Sequence, residues 1–225
     1  MTATIGWLAV AIAFALALAG TAAPAALSGR LAARRFTLGA IAIGGQLVLV
    51  TVAALALVYA LVTADFSLQY VAQNTSLRTS LYYRVTGLWA ALEGSLLLWE
   101  WMLVALAGLV AWQYRARHPE LMPWVLAVFS GVSSFFLGVL AFAASPFERL
   151  WPIPPDGRGL NPLLEDADMF THPPLLYAGF VGLTVPYAFA MAALVTARLD
   201  DGWVATIRKW TIAAWLFLTL GNLFG

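Results

Sequence analysis

Cysteine is absent from this 225-residue chain. That excludes a disulfide framework, a thiolate metal site and a cysteine nucleophile, and it leaves any thiol chemistry to a partner. Charge is almost as scarce: Asp, Glu, Lys and Arg make up 10% of the residues and the formal net charge is +1. No basic surface for nucleic acid can be built from that balance. The first seven residues carry no Lys or Arg, so the basic n-region of a secretory signal is missing. The apolar run that follows continues to about Leu27, too long for a signal core, and reads as a first spanning helix. There is no Gly-rich phosphate loop, no Ser-His-Asp arrangement and no metal-spaced acid cluster.

What is present is apolar. Hydrophobic residues make up 62% of the chain and the mean hydropathy is +0.85. A water-soluble domain must solvate its outside and cannot hide that much apolar surface, whereas lipid can surround it. About 20 apolar residues cross the hydrocarbon core of a bilayer. Six stretches qualify: residues 5–27, 37–62, 88–112, 123–144, 174–197 and 210–225, the last being the shortest. No connecting loop is long enough for a second domain, and no internal repeat is evident. The expectation is a single all-α domain over residues 1–225, a polytopic transmembrane bundle of about six helices. A Pro-rich external cap is expected between the fourth and fifth.

Lys and Arg in short loops orient such a bundle. The loops at 28–36, 113–122 and 198–209 hold Arg30, Arg34, Arg35, Arg115, Arg117, Arg198, Arg208 and Lys209. The loops at 63–87 and 145–173 are longer yet hold only Arg78, Arg84, Arg149 and Arg158. Eight against four assigns the first set to the cytoplasm and puts both termini outside. In the first outer loop, Phe66, Leu68 and Tyr70 alternate with polar residues, a period of two that predicts a short extended segment. The second carries six of the 11 prolines together with Glu148, Asp156, Glu165, Asp166 and Asp168. Proline at that density rules out a long helix, and its leucines, phenylalanines and tryptophan predict a packed cap.

Few side chains can carry chemistry. His118, between arginines on the cytoplasmic side, reads as a solvated loop residue. His172 opens the fifth span, followed by Pro173 and Pro174. Pro173 biases His172 towards extended backbone, and a proline in the first helical turn costs nothing, so the imidazole stands on a stiff mount. It can bind haem iron or a metal through one ring nitrogen, or simply cap the helix at the interface. Glu93 and Glu100 lie seven residues apart in the third span and so share roughly one face. Membrane carboxylates are costly and face protein or water. Glu93 is either a proton or ligand contact below the outer surface, or an acid bonded to a neighbouring helix and paired with Arg84. For Glu100 neither reading prevails. Of the ten tryptophans, Trp7, Trp89, Trp112, Trp124, Trp151, Trp203 and Trp210 fall near predicted membrane edges and read as interface anchors.

Four stretches resemble the CcmF family, the haem lyase subunits of bacterial cytochrome c maturation. They are DFSLQYVAQNTS at 65–76; Tyr83 to Trp89 running into EGSLLLW at 93–99; SPF at 145–147 with Gly157, Arg158 and NPLL at 161–164; and HPPLLY at 172–177. The resemblance implies a protein of the bacterial inner membrane, with haem handed over on the outer face by a CcmE-like haem chaperone. It implies CcmH- and CcmI-like subunits that deliver apocytochrome c, whose thiols add to the haem vinyl groups. It further implies that His172 is an axial ligand to the substrate haem on the periplasmic side, with Arg84, Glu93, Pro173, Pro174 and Tyr177 supporting it.

Departures from the family pattern qualify this. Relatives continue past a stretch like residues 215–221 into a Trp-rich segment, a second external histidine and intramembrane histidines that hold a b-type haem. Within 225 residues none of these appears. The expectation is a fragment or split-gene subunit that holds no b-type haem, needs a C-terminal CcmF-like chain, and is inactive alone. Glu100 stands where relatives are expected to carry an apolar residue. Two other readings are carried forward: an ion- or proton-translocating subunit of a respiratory complex, suggested by Glu93 and Glu100, and a non-catalytic docking protein for apocytochrome that uses the Pro-rich cap.

Overall fold

The computed structural model describes residues 1–27, 33–198 and 201–225. Arg30, counted above among the basic loop residues, lies outside them. Among the described residues the chain forms nine α-helices: α1 (Thr2–Ala26), α2 (Arg35–Val62), α3 (Gln69–Asn74), α4 (Leu81–Thr86), α5 (Leu92–Tyr114), α6 (Met122–Phe142), α7 (His172–Gly182), α8 (Thr184–Val195) and α9 (Val204–Leu223). Five segments are long and apolar enough to cross a membrane: α1, α2, α5, α6 and the stretch Ala167–Val195 that contains α7 and α8. The chain is a multi-pass membrane protein of the all-α class.

The fifth segment is interrupted at Leu183, where α7 gives way to α8. Pro186 supplies no N–H for the carbonyl of Gly182 four residues earlier, and its ring crowds that carbonyl. The expected sixth span at 210–225 is the later part of a longer helix. α9 starts at Val204, so Arg208 and Lys209, expected in a loop, lie on its early turns. The third span also begins later than expected. Residues Gly87–Trp89 form a separate 3₁₀ turn, and α5 starts only at Leu92.

Apolarity does not distinguish the inner and outer faces of these helices; on α1 size does. α1 buries Gly6, Ala9, Ala13, Ala17 and Gly20 while Leu8, Ile12 and Leu18 are exposed. Small side chains let α1 lie close against α2 and α6, where dispersion between helices takes the place of the hydrophobic effect. α2 mixes sizes: it buries Ala42, Ala53 and Ala60 together with Ile43, Val50, Leu57 and Leu61, and exposes Ile41, Val48 and Leu55. One apolar cluster joins α1, α2, the start of α5 and the end of α6, through residues such as Val10, Leu57, Leu97 and Leu137. A second joins α5, α6 and α8 through Leu103, Phe129, Val185 and Phe189.

At one end of the bundle the segment after α6 folds back over the segment after α2. The extended stretch expected over Phe66–Tyr70 is shorter than its alternation suggested. Leu68 forms an isolated antiparallel bridge with Arg149, and α3 begins at the next residue. Burial of Tyr70, Val71 and Ala72 in succession shows why: from Gln69 the chain meets the core as a helical turn. Gln69 N–H donates to Glu148 O, Leu150 N–H to Ser67 O, Arg158 N–H to Ala72 O and Gly159 N–H to Thr75 O, at 2.8–3.1 Å. Phe147, Leu160 and Met169 are buried beneath this layer.

Three of the expected interface tryptophans spend their indole N–H groups on the protein. Trp7 donates to Ala141 O, Trp89 to Met169 O and Trp210 to Tyr114 Oη. Trp112 and Trp151 are well exposed.

Candidate functional site

His172 is the first residue of α7, and prolines occupy the two positions that follow. Neither proline has an N–H to leave unpaired there. The half-buried imidazole points Nδ1 at the carbonyl of Gly221 on α9, 2.7 Å away. A carbonyl oxygen only accepts, so Nδ1 is the donor, and in the neutral tautomer this leaves the lone pair at Nε2. A bond of this kind fixes the tautomer and orientation of histidines that ligate metals.

Close approach of α7 and α9 makes that contact possible. A Cβ on Gly179 would lie 2.7 Å from the backbone nitrogen of Leu218, and one on Gly221 would lie 2.8 Å from that of Leu176. Only glycine fits at both places, and the seam they form carries the Gly221 carbonyl to the histidine. Beyond Gly221 the chain runs across the ring: a Cβ on Gly225 would stand 2.8 Å from Nε2.

The other side of α7 is tied to α5. Tyr177 Oη donates to Ser95 Oγ at 3.1 Å, and Ser95 donates to Trp89 O at 3.0 Å. Trp89 Nε1–H donates to Met169 O at 2.8 Å, just before His172. Phe170 stacks on Tyr82, with centroids 5.8 Å apart, and meets Trp89 edge-on at 6.2 Å. The turn leading into His172 is therefore gripped by Tyr82 of α4 and by Trp89 of the 3₁₀ turn before α5. Tyr82 and Phe170 carry no signal of this role in the sequence. Tyr82 and Phe170 lie 88 residues apart in the chain, and only the folded cap brings them together.

Arg84 does not pair with Glu93. Its guanidinium donates to the carbonyls of Val62, Ser76, Leu77 and Thr79 at 2.9–3.2 Å. Those carbonyls include the last residue of α2, whose terminal oxygens have no partner within the helix, so Arg84 is consumed in closing the loop between α2 and α4. Glu93 lies in the first turn of α5, where a negative charge is favoured by the helix dipole. The 3₁₀ turn before α5 leaves Glu93 as the second residue of that helix. Between Glu93 and Glu100 the shared face of α5 carries Leu96 and Leu97, and Leu97 is fully buried. An apolar step therefore separates the two acids.

His118 is not a free loop residue. Its Nε2 lies 2.9 Å from Thr206 Oγ1 on α9, and its ring meets Tyr114 and Phe189. It joins the ends of α5, α8 and α9 far from the cap. Among the described residues no group of three His, Cys, Asp or Glu side chains is arranged to hold a metal ion. What the His172 end of the bundle holds is one imidazole oriented by a backbone carbonyl.

Residues 89–225 match the cytochrome C assembly protein family, which is more than half of the chain. The chain belongs to that family. Within it, the "Cytochrome c-type biogenesis protein CcmF" of Haemophilus influenzae is 42% identical over 176 residues, covering 78% of this chain and 27% of that protein. The protein of the same name from Escherichia coli K12 is 45% identical over 173 residues, covering 76% of this chain and 27% of its own length. A solved structure, "Cytochrome c Heme Lyase CcmF", superposes with a TM-score of 0.82 at 38% identity, covering 98% of this chain and 35% of that one. The chain thus spans about a third or less of the length of these relatives.

Proposed function

We propose that this chain serves cytochrome c maturation in the bacterial inner membrane, as the haem-presenting part of a haem lyase system of the CcmF type. His172 would supply Nε2 as an axial ligand to substrate haem on the periplasmic face, with the N-terminus on the same side. The observation that carries this reading is the bond from Nδ1 of His172 to Gly221 O, which leaves the other nitrogen as the acceptor. Pro173 and Pro174 stiffen the mount. Tyr177 holds α7 to α5, and Arg84 ties α4, which carries Tyr82, to the loop after α2.

Haem is the substrate here, delivered by a CcmE-like chaperone and joined to apocytochrome c brought by CcmH- and CcmI-like subunits. The joining step adds each cysteine S–H across a haem vinyl group: a C–S bond forms, and the hydrogen goes to the neighbouring carbon. A chain without cysteine suits that chemistry, since both reacting sulfurs come from the apocytochrome. One imidazole provides one of the two axial positions, so a C-terminal CcmF-like segment or chain would provide the second.

The test is complementation in cells that lack the native CcmF-type protein, with the chain expressed alongside the remaining CcmF-like segments. His172→Ala is expected to abolish covalently attached haem in periplasmic cytochrome c while the protein still accumulates in the membrane. Undiminished attachment in that variant would overturn the assignment.

A further inference from the structure

Midway along the bundle three helices converge on a row of oxygen atoms. Glu100 of α5 is fully buried, and its Oε1 is hydrogen bonded to Ser133 Oγ of α6. The same Ser133 Oγ lies 2.7 Å from Oε1 of Gln46 on α2, which is also fully buried. Gln46 Nε2–H donates to Ala42 O at 3.1 Å. That bond fixes which end of the amide faces Ser133, because turning it over would set two oxygens against each other.

Counting hydrogens then decides the protonation. Two contacts link three oxygens, so two hydrogens are needed. The amide oxygen of Gln46 has none to give, and a serine hydroxyl has one. Ser133 donates to Gln46, and the second hydrogen belongs to the carboxyl group of Glu100. Its other oxygen, Oε2, is buried with no hydrogen-bond partner, as is Ser130 Oγ one turn away on α6. An anion with a bare oxygen is far costlier inside protein or lipid than a neutral acid. No countercharge stands nearby on these helices. α5 and α6 carry no Lys or Arg, and Arg35 on α2 is that helix's first residue, about three turns before Gln46. α1 and α8, which pack against α6, carry no charged residue.

We propose that Glu100 is a resident proton-binding site within the membrane, a neutral carboxylic acid whose proton joins α5 through Ser133 to α2. The ordered chain runs from Glu100 O–H to Ser133 and from Ser133 O–H to Gln46. It lies apart from the His172 site and does not depend on the haem-presenting role. The competing occupant for three such oxygens is a sodium-class cation, which would require the ionised carboxylate.

Infrared spectroscopy and carbodiimide labelling of the full chain in lipid vesicles test this. The unmodified protein is expected to show a carboxylic-acid C=O band that is insensitive to sodium chloride. That band should vanish in Glu100→Gln and move in Ser133→Ala. Glutamine preserves a donor to Ser133, so that variant keeps the bundle intact. Dicyclohexylcarbodiimide, an apolar reagent that takes up the acid proton on nitrogen as the carboxyl oxygen bonds to its central carbon, is expected to label residue 100 in the unmodified protein. Labelling needs no variant, so it keeps the proposal falsifiable if Glu100→Gln fails to fold. Loss of only carboxylate bands in Glu100→Gln would overturn the proposal. So would absence of label at residue 100, or a label that sodium abolishes.

Discussion

Tyr177 and Ser95 are joined side chain to side chain, the phenol donating to the serine oxygen at 3.1 Å. The bond fastens α7 to α5 one and a half turns below His172, and Ser95 passes the connection on to the Trp89 carbonyl. Tyr177→Phe keeps the ring, and its edge contact with Trp99, but removes the donor. Losing one partly buried hydrogen bond costs about 1 kcal/mol. The expected outcome is a small loss of thermal stability and a several-fold weaker affinity for added haem, measured by optical titration in detergent. Tyr177→Phe in the His172→Ala background should change haem affinity no further, because the tyrosine acts through the histidine's mount.

The glycine seam between α7 and α9 makes a sharper prediction. Replacing Gly221 by Val puts a branched side chain where a Cβ alone would already reach 2.8 Å from the Leu176 nitrogen. Overpacking of this kind costs about 1–3 kcal/mol, and here it must also part the two helices. Nδ1 of His172 should then lose its fixed acceptor and the ring should sample both tautomers. Nitrogen NMR of histidine-labelled protein reports the tautomer directly. For His172, told apart from His118 by its loss in His172→Ala, a single Nδ1–H form is expected in the unmodified chain and a mixture in Gly221→Val.

Local sequence made His172 legible as the entrance to a helix, but the extended backbone expected before Pro173 is not found: His172 is already the first residue of α7. Its partner was not legible, because Gly221 lies 49 residues further along and contributes only a backbone carbonyl. Five of the six expected spans could be read from composition alone. Which face of each turns inward could not, because exposed and buried positions are both apolar. The proposed pairing of Arg84 with Glu93 failed for a general reason. Proximity in sequence suggested an ion pair, but a guanidinium carries five N–H donors, and the end of α2 and the turn after α3 offered it four carbonyls. Glu100 was conspicuous as a membrane acid, but its meaning depends on Ser133 and Gln46, which come from two other helices.

Arg84 therefore predicts a stability defect. Four carbonyl oxygens depend on one side chain. Arg84→Ala should destabilise the loop between α2 and α4 by about 2–4 kcal/mol, taking about 1 kcal/mol or somewhat less per bond because the group is only half-buried. Arg84→Lys should restore only part of this, since a compact ammonium cannot fan out to four acceptors. Hydrogen exchange at the amides of Ser76 to Thr79 would show the defect locally. Exchange in α6, remote from the loop, should be unaffected.

Tyr70, in the short helix α3 outside the spanning segments, links stability to alkaline pH. It is buried, its hydroxyl donates to Gly87 O at 2.8 Å, and it accepts from Ala91 N–H at 3.3 Å. Burial, reinforced by the nearby charge of Glu93 and opposed in part by the Ala91 N–H, raises its pKa well above the usual 10.0 of a phenol. The sign of the linkage follows. Below about pH 10 both folded and unfolded chains keep the proton and stability is unaffected. Above it the unfolded chain releases the proton while the folded one holds it, so stability falls as pH rises towards the folded pKa. The cap is expected to open in alkali, with tyrosinate absorbance from Tyr70 appearing only as it opens. In Tyr70→Phe the cap should be weaker at neutral pH by about 1 kcal/mol for the lost hydrogen bonds, yet its stability should decline less steeply above pH 10. A variant whose alkaline decline matched that of the unmodified chain would show that Tyr70 ionises freely, and that its burial is not what the cap secures.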